Sequence, residues 1–308
     1  MKTLTLTTCA IAAALITSNS ATAMITLDMI TIGNVGNTAD STGYGSVSYE
    51  YNIGKTEVTN AQYVEFLNTT ASTVDVYGLY NAGMANMGGT GVGISQTGGG
   101  STNFTYNVTG GGENRPVAFV SWFDAARFAN WLVNGQGDGD TETGSYTLIG
   151  AFSGATVARN VINGGYYIPT ENEWYKAAYY NPGTTAYSLF PNGQATITTS
   201  DANYAMSVGS TTNVDIYSGD PSSYGTFDQG GNVREVINFD AAAAANVVAR
   251  GGSYVSGTDS TLSSASRTLI TTNAETISTG FRVSVVPEPS SALLAMLGGS
   301  FLLLRRKR

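Results

Sequence analysis

The sequence predicts an α+β domain with short helices, a sheet and long loops. Residues 46–54 alternate polar and apolar side chains, which is typical of a half-buried strand. Hydroxyl side chains at Thr59, Ser121 and Thr170 each precede a short run with helical spacing, as N-caps do. The remaining chain is rich in glycine, with 38 of 308 residues, and has few helical signals. A sheet combined with a few short helices and much irregular chain indicates the α+β class.

The first elements are a strand and a short helix. The strand at 46–54 is followed by a helix that Thr59 caps, where Gln62 is placed to complete a capping box. Apolar residues then recur as far as Leu67. Residues 71–112 are rich in Gly, Thr, Asn and Ser, with Tyr and Phe interspersed. We expect this stretch to form loops and thin β-hairpins over the core, and not a domain of its own.

Two further helices follow. Ser121 caps a helix over residues 122–133, whose apolar side chains recur at helical spacing and should face the core. Thr170 caps a third short helix, with Glu173 as its capping-box partner. We expect the tryptophans to pack in the core and not to form a ligand platform. They are Trp122, Trp131 and Trp174.

The N-terminal residues 1–23 have the features of a secretory signal peptide. Lys2 is the only early charge, and a largely apolar stretch follows it. The small residues Ala21 and Ala23 then form an A-x-A cleavage site. Cleavage there would leave a domain over residues 24–285, which is long enough for one large core and contains no evident linker.

The C-terminal segment, residues 286–308, has three parts. It begins with a stiff Pro-Glu-Pro box made of Pro287, Glu288 and Pro289. An apolar run from Ala292 to Leu304 follows, and four basic residues end the sequence. As a helix this run would be about 20 Å long, which is short against a hydrocarbon core of roughly 30 Å. The basic end would stay on the cytoplasmic side.

This tail resembles a PEP-CTERM sorting signal, in which an exosortase recognises the Pro-Glu-Pro box and removes the anchor. A plain membrane anchor would give no reason for the box. The resemblance implies export from a bacterial cell, transient insertion of the tail into the membrane, and a final location at the cell surface or in the extracellular matrix.

Composition excludes several kinds of site. The chain has no histidine, and its single cysteine, Cys9, lies in the expected signal peptide. The mature protein would therefore have no thiolate, disulfide or imidazole, which excludes a Ser-His-Asp triad and soft ligands for zinc or copper. Any metal would be a hard cation bound by oxygen, which outside the cell indicates calcium.

The charge balance argues against a nucleic-acid partner. Of 14 Lys and Arg residues, five lie in the segments expected to be removed, as does Glu288 of the 22 acidic residues, which leaves nine basic against 21 acidic residues and a net charge of about −12. Such a surface repels nucleic acid and anionic membranes. It would also repel an acidic polysaccharide unless a cation bridged the two.

Six sequence blocks point to a family. They read GKTEVTNAQY at 54–63, RPV with VSW at 115–122, IPTENEW at 168–174, GNVRE at 231–235, RGGSY at 250–254 and GFRV at 280–283. In this order they resemble the formylglycine-generating enzyme, or sulfatase-modifying factor, family. The resemblance covers residues 46–285. It implies the fold of that family, a variant of the C-type lectin fold with low secondary-structure content.

The catalytic chemistry of the family does not carry over. Active members oxidise a substrate cysteine with a copper-bound pair of their own cysteines. Aligned outward from the RGGSY block, those two positions fall on Ser256 and Thr261. A hydroxyl, with a pKa far above 7, cannot replace a thiolate as copper ligand or redox centre. A sister group uses iron held by histidines, which this chain lacks. The resemblance therefore implies a non-enzymatic protein without copper or iron.

The family also binds structural calcium at two places. One set maps to the carbonyls of Gly231 and Val233 and to the side chain of Glu235, and the other begins at Asn203. Such oxygens suit calcium, which would fix irregular loops. This chain departs from the family at Arg234, where the family has tryptophan. An ion pair of Arg234 with Glu235 or another carboxylate would displace the metal, so calcium is left open.

Other charged residues of these blocks have structural interpretations. We expect Arg250, Arg267 and Arg282 to be buried and to tie loops together through carbonyl contacts or ion pairs. Glu57 and Glu173 stand near helix starts, where capping and the helix dipole account for carboxylates without catalysis.

Three functions remain at this point. The first is an exported, non-catalytic family member that exosortase sorts and that acts as a binding or structural component of the cell surface or exopolysaccharide matrix. The second is a calcium-assisted, lectin-like glycan binder, for which 18 tyrosines offer stacking surfaces. The third is an enzyme with a new site, which no spacing in the sequence picks out. The expected partners are exosortase and extracellular polysaccharide.

Overall fold

The computed structural model describes residues 24–160, 162–238 and 245–287. The predicted cleavage residues Ala21 and Ala23, and Glu288 and Pro289 of the sorting box, lie outside this part of the chain. Pro287 is its last residue and is half-buried. Among the described residues, no helix is both long enough and apolar enough to cross a membrane.

The structure has three α-helices, two 3-10 helices and twelve short strands in the described part of the chain. The helices are α1 (Asn60–Thr70), α2 (Trp122–Val133) and α3 (Glu171–Tyr179), with 3-10 turns at Ala82–Gly89 and Asp259–Leu262. The strands are β1 (Met29–Ile32), β2 (Tyr51–Gly54), β3 (Gly93–Gly99), β4 (Thr102–Thr109), β5 (Tyr166–Tyr167), β6 (Tyr180–Asn181), β7 (Ala186–Tyr187), β8 (Arg234–Ile237), β9 (Asn246–Arg250), β10 (Thr268–Thr271), β11 (Thr279–Gly280) and β12 (Ser284–Val285).

Two four-stranded sheets organise the domain. One has the order β1-β2-β12-β5 and is antiparallel throughout, so the last strand of the chain lies in its interior. The other has the order β10-β9-β8-β11, with β11 parallel to β8. The β3–β4 hairpin falls in the stretch predicted to carry thin hairpins.

The predicted helix caps are confirmed. Thr59 with Gln62, and Thr170 with Glu173, form complete capping boxes, because each hydroxyl accepts from the backbone three residues on and each N3 side chain accepts in return. Ser121 forms a third box with Asp124. Burial raises the pKa of Asp124 to about 7, although hydrogen bonds from Ser121 oppose the shift.

The tryptophans lie in the core, as predicted, and each is at most 1% exposed. Helix α2 supplies much of this core, where Phe128 packs against Tyr63, Phe66 and Phe281 with ring centroids 5.3–6.0 Å apart. These contacts anchor α1, α2 and the GFRV segment at 280–283 to one another.

The strand prediction at 46–54 is only partly right. A ladder forms over Tyr51–Gly54, whereas the chain bends at Ser48 and Tyr49. Val47 is nevertheless buried between exposed neighbours. The alternating pattern therefore predicted correctly which side chains are buried, but it did not predict which residues pair in the sheet. A bent segment can also turn every second side chain inward.

Candidate functional site

Glu235 is the acidic residue to which the sequence assigned calcium, and it lies in a buried ion pair. Strand β8 turns its side chain into the core, where it is 0% exposed. Arg282 donates from Nε to Glu235 Oε2 at 2.5 Å and from Nη2 to Oε1 at 2.6 Å. Trp174 donates from Nε1 to Oε2 at 2.7 Å. Both carboxylate oxygens therefore already accept charge-assisted or indole hydrogen bonds.

Arg282 also holds three distant carbonyl groups. Nη1 donates to Gly54 O at 2.9 Å and Lys55 O at 3.3 Å, and Nη2 donates to Phe227 O at 2.8 Å. Burial disfavours its charge, but the Glu235 carboxylate more than compensates and raises the pKa of Arg282. We call Glu235, Arg282 and Trp174 the buried ion-pair centre.

The geometry of this centre does not favour calcium at Glu235. A cation would have to displace Arg282, whose guanidinium already supplies the positive charge and is fixed by carbonyl contacts from two other segments. In addition, the residues that the structure describes contain no cluster of three or more His, Cys, Asp or Glu side chains suited to a metal. The ion-pair partner of Glu235 is therefore Arg282 and not Arg234, which the sequence had left open as an alternative to calcium.

Two of the other residues to which the sequence assigned calcium, Asn203 and Gly231, lie together, and Val233 is buried. Asn203 O accepts from the backbone N–H of Asn232 at 2.8 Å, and the Gly231 backbone packs so closely on Asn203 that a Cβ would lie 2.3 Å from the same oxygen. Gly231 has φ +89°, so it needs the freedom of glycine on both counts. The Asn203 side-chain Oδ1 is buried and accepts no hydrogen bond from a described residue. It is an oxygen that a cation could use.

Glu57 is a residue whose role the sequence interpretation missed. It lies two residues before the N-cap Thr59, is 1% exposed, and neither of its carboxylate oxygens has a hydrogen-bond partner in the described structure. It therefore does not cap the helix. Burial raises the pKa of Glu57 well above its ordinary value, and the charges of Asp228 and Glu235 add to the shift. Burial likewise raises the pKa of Asp228, to about 6.

Ser256 and Thr261, which the sequence interpretation aligned with the family's catalytic cysteines, line one cavity. A Cβ built on Gly252 would lie 3.2 Å from Ser256 Oγ and 3.0 Å from Thr261 Oγ1, so both hydroxyls approach the same point. The cavity has a volume of about 200 Å³. We call it the Arg234 cavity, and its polar lining consists of Arg234, Arg250, Ser256, Thr261, Ser266 and Thr268.

Arg234 and Arg250 differ in how their guanidinium groups are used. Arg250 is 2% exposed, pairs with Glu171 at 2.7 Å, and donates to the carbonyls of Ser264 and Ser266 at 2.9 and 2.8 Å. Arg234 donates only from Nη2 to Ser278 Oγ at 2.9 Å, and its Nε is buried without a partner in the described chain. Burial accordingly lowers the pKa of Arg234.

Arg267 completes a second cluster beside this cavity. It pairs with Glu171 at 2.9 and 3.0 Å, so two arginines share one carboxylate. The prediction that Arg250, Arg267 and Arg282 tie loops through ion pairs or carbonyl contacts is therefore confirmed. The expectation that all three are buried holds for Arg250 and Arg282 but is wrong for Arg267, which lies exposed at the surface. Because Arg250 and Arg267 share the single negative charge of Glu171, the wall of the cavity retains an excess of positive charge.

The chemistry open to this arrangement is binding. Nucleophilic use of Ser256 or Thr261 would require a neighbouring base. The described lining supplies guanidinium and hydroxyl groups only. Ser256 Oγ accepts from the Ser253 N–H at 2.9 Å, and Thr261 Oγ1 donates to Thr258 O at 2.7 Å. These groups are hydrogen-bond donors and acceptors held in place by the loop.

Comparison with known proteins agrees with this architecture. Variable protein 1 of Treponema denticola is 22% identical, with 84% of this chain and 95% of that chain covered and a TM-score of 0.56. The crystal structure of CarF is 23% identical, with 85% and 99% of the two chains covered and the same TM-score, 0.56. These solved structures confirm the predicted α+β fold. No curated protein sequence matches the chain.

The sequence itself matches a family description over almost the whole domain. Residues 23–286 match the sulfatase-modifying factor enzyme 1-like domain. This range contains the buried ion-pair centre and the Arg234 cavity, as well as all six blocks that carried the resemblance. The chain therefore belongs to the sulfatase-modifying factor family.

Proposed function

We propose that this protein is an exported, non-catalytic member of the sulfatase-modifying factor family that acts as a binding module of the bacterial cell surface or exopolysaccharide matrix. The observation that carries the proposal is the pair Ser256 and Thr261. Their hydroxyls converge where active members hold cysteines, so the scaffold keeps the cavity without the redox-active sulfur.

Export and sorting are part of the same proposal. The N-terminal signal and the Pro-Glu-Pro box support a path through the membrane and processing by exosortase. Val286, directly before the box, packs against the core, and its carbonyl accepts from the Gly164 N–H at 2.9 Å. In this proposal the folded domain thus ends at the point where the processing signal begins.

A two-part experiment tests the proposal. The exported protein is first incubated with a cysteine-containing sulfatase peptide, with and without copper, while oxygen uptake and aldehyde formation are recorded. We expect neither. It is then mixed with extracellular polysaccharide of the producing cells, with dextran as a control, and we expect saturable retention by the former only. Peptide oxidation, or the absence of retention, would refute the proposal.

Structural calcium remains a separate proposal. Asn203 supports it, since its side-chain oxygen has no partner in the described structure. The oxygens of Glu235 do not, because Arg282 and Trp174 already use them. We expect a chelator to lower the melting temperature of the wild-type protein but not that of Asn203→Leu. An unchanged wild-type melting curve would rule out a strongly stabilising ion.

A further inference from the structure

Arg234 has hydrogen-bonding capacity that the folded chain does not use. A guanidinium carries five N–H donors, yet among described residues only Ser278 Oγ accepts from it, at 2.9 Å. None of the described carboxylates lies within 4.0 Å of it, as the recorded ion pairs show. Burying an arginine without an acidic partner costs free energy. An anionic ligand would offset that cost.

The surroundings of Arg234 suit an anion. Arg250 forms part of the same wall, and its partner Glu171 is shared with Arg267, so positive charge is in excess. Asp259 lies nearby in the 3-10 turn that carries Thr261, but it is not part of the lining. Ser256, Ser266 and Thr268 add hydroxyls that can donate to oxyanion oxygens, whereas the Thr261 hydroxyl already donates to Thr258 O.

The size of the cavity limits the ligand. Its volume of about 200 Å³ is below the roughly 300–1,000 Å³ of drug-sized pockets. At roughly 30 Å³ per water it holds about seven water molecules. This is room for one charged ring or side group and not for an oligosaccharide. A longer chain would extend outward past the exposed Thr268.

We propose that the Arg234 cavity binds one oxyanion-bearing saccharide unit, through a planar carboxylate or a sulfate group. Arg234 would donate its unused N–H groups to the oxyanion, and Ser256 and Ser266 would donate hydroxyl hydrogen bonds. This inference rests on the proposed binding role and names the ligand class for it. The net negative charge of the protein predicted repulsion of acidic polysaccharide. A locally positive cavity can nevertheless bind an acidic sugar that the surface as a whole repels.

The test uses three sugars that differ only at C6. Galactose is the neutral control, galacturonate carries a carboxylate, and galactose 6-sulfate carries a sulfate. Each is titrated into the exported protein by calorimetry at low and at high salt. We expect galacturonate or galactose 6-sulfate, or both, to bind at least about tenfold more tightly than galactose, and this preference to weaken with salt. Equal binding of all three sugars, or none by either acid, would overturn the inference.

Matched variants locate the binding. Arg234→Gln should weaken binding of the acidic sugar by on the order of tenfold. Arg115→Gln is the control, because Arg115 also lacks a recorded carboxylate partner and donates to a serine, Ser210 Oγ at 3.1 Å, but does not line the cavity. It should change binding less than about twofold. Ser256→Asp, which adds a negative charge to the lining, should abolish binding by repulsion.

The outcomes separate this inference from the proposed function. Retention of the producer's polysaccharide by Arg234→Gln at wild-type strength would overturn the cavity assignment and leave the matrix role standing. The wild type could instead bind the acidic sugar, lose that binding in Arg234→Gln, and still not retain the polysaccharide. This result would support the cavity assignment and refute the matrix role. Melting curves of each variant show whether it is folded, and Ser256→Asp tests the cavity independently of Arg234.

Discussion

Arg234 and Glu235 are adjacent on strand β8, yet their environments are opposite. Glu235 faces the core, and its carboxylate is saturated by Arg282 and Trp174. Arg234 faces a cavity, and most of its donors are unused. Neighbouring strand residues point to opposite faces. One strand therefore places Glu235, which stabilises the fold, on one face and Arg234, which is available to a ligand, on the other.

The largest effect should come from breaking the buried ion-pair centre. We expect Arg282→Met to lower the free energy of unfolding by about 3–5 kcal/mol, because it leaves the Glu235 carboxylate buried and unpaired. Denaturant unfolding measures the loss. The double variant Arg282→Met with Glu235→Leu should recover a large part of it. A loss below about 1 kcal/mol for the single variant would contradict the role given to Arg282.

The next effect concerns the indole that completes the centre. Trp174→Phe removes a hydrogen bond to a charged acceptor and should cost about 1.5–3 kcal/mol, with a further loss from the smaller ring. Trp131→Phe is the matched control, since Trp131 Nε1 donates to a neutral carbonyl, Gly137 O, at 3.0 Å. It should cost less. The reverse order in the two unfolding free energies would show that Glu235 does not depend on Trp174.

Glu57 offers a test that depends on pH. The folded-state pKa of Glu57 is raised, so the folded chain keeps a proton that the unfolded chain releases above pH 4.5. Its contribution to stability is therefore most favourable at acid pH and declines as pH rises toward the folded-state pKa. Glu57→Met should then stabilise the protein at pH 7 and have less effect near pH 4. Unfolding free energies measured across this range check the sign.

The opposite result for Glu57 would also be informative. Neither carboxylate oxygen of Glu57 has a hydrogen-bond partner among the described residues, so replacing the residue with methionine removes no hydrogen bond seen there. Strong destabilisation of Glu57→Met at pH 7, reproduced in the wild type by adding a chelator, would mean that the carboxylate is paired with a bound cation. That result would replace the interpretation of Glu57 as an unpaired buried acid.

The smallest effect on stability is expected on the cavity side of the strand. Arg234→Gln should change the free energy of unfolding by less than about 0.5 kcal/mol, because its one recorded hydrogen bond goes to a serine hydroxyl. Thermal melting beside Arg282→Met gives the contrast directly. A loss as large as that of Arg282→Met would show that both faces of β8 serve stability, which would remove the basis for the comparison.

Local features of this fold were predictable from the sequence, and long-range partners were not. Thr59 and Thr170 were identified as caps because each has a capping-box partner three residues on, and Ser121 because its hydroxyl precedes a run with helical spacing. Arg282 was identified as a tie between loops, but its carboxylate was not. Glu235 lies 47 residues away and was instead assigned to the adjacent Arg234 or to calcium. Sequence proximity is a poor guide to partners that only tertiary packing brings together.

The same limit applies to the candidate site. Ser256 and Thr261 were located by alignment with a motif, and the structure places both hydroxyls beside Gly252. The sequence did not show that Arg234 lacks an acidic partner among the described residues, because that can be seen only once the surrounding residues are placed in the fold. A sequence signal did exist, namely an arginine where the family has tryptophan. Glu57 was misassigned because its nearness to a helix start suggested an ordinary role.

The position of β12 constrains when the domain can fold. Ser284 and Val285 fill an interior place between β2 and β5, and Arg282 just before them donates to the carbonyl of Gly54, which was synthesised more than 200 residues earlier. A nascent chain lacking these last residues cannot complete the sheet or neutralise Glu235. Folding of this domain must therefore wait until nearly all of it has been synthesised.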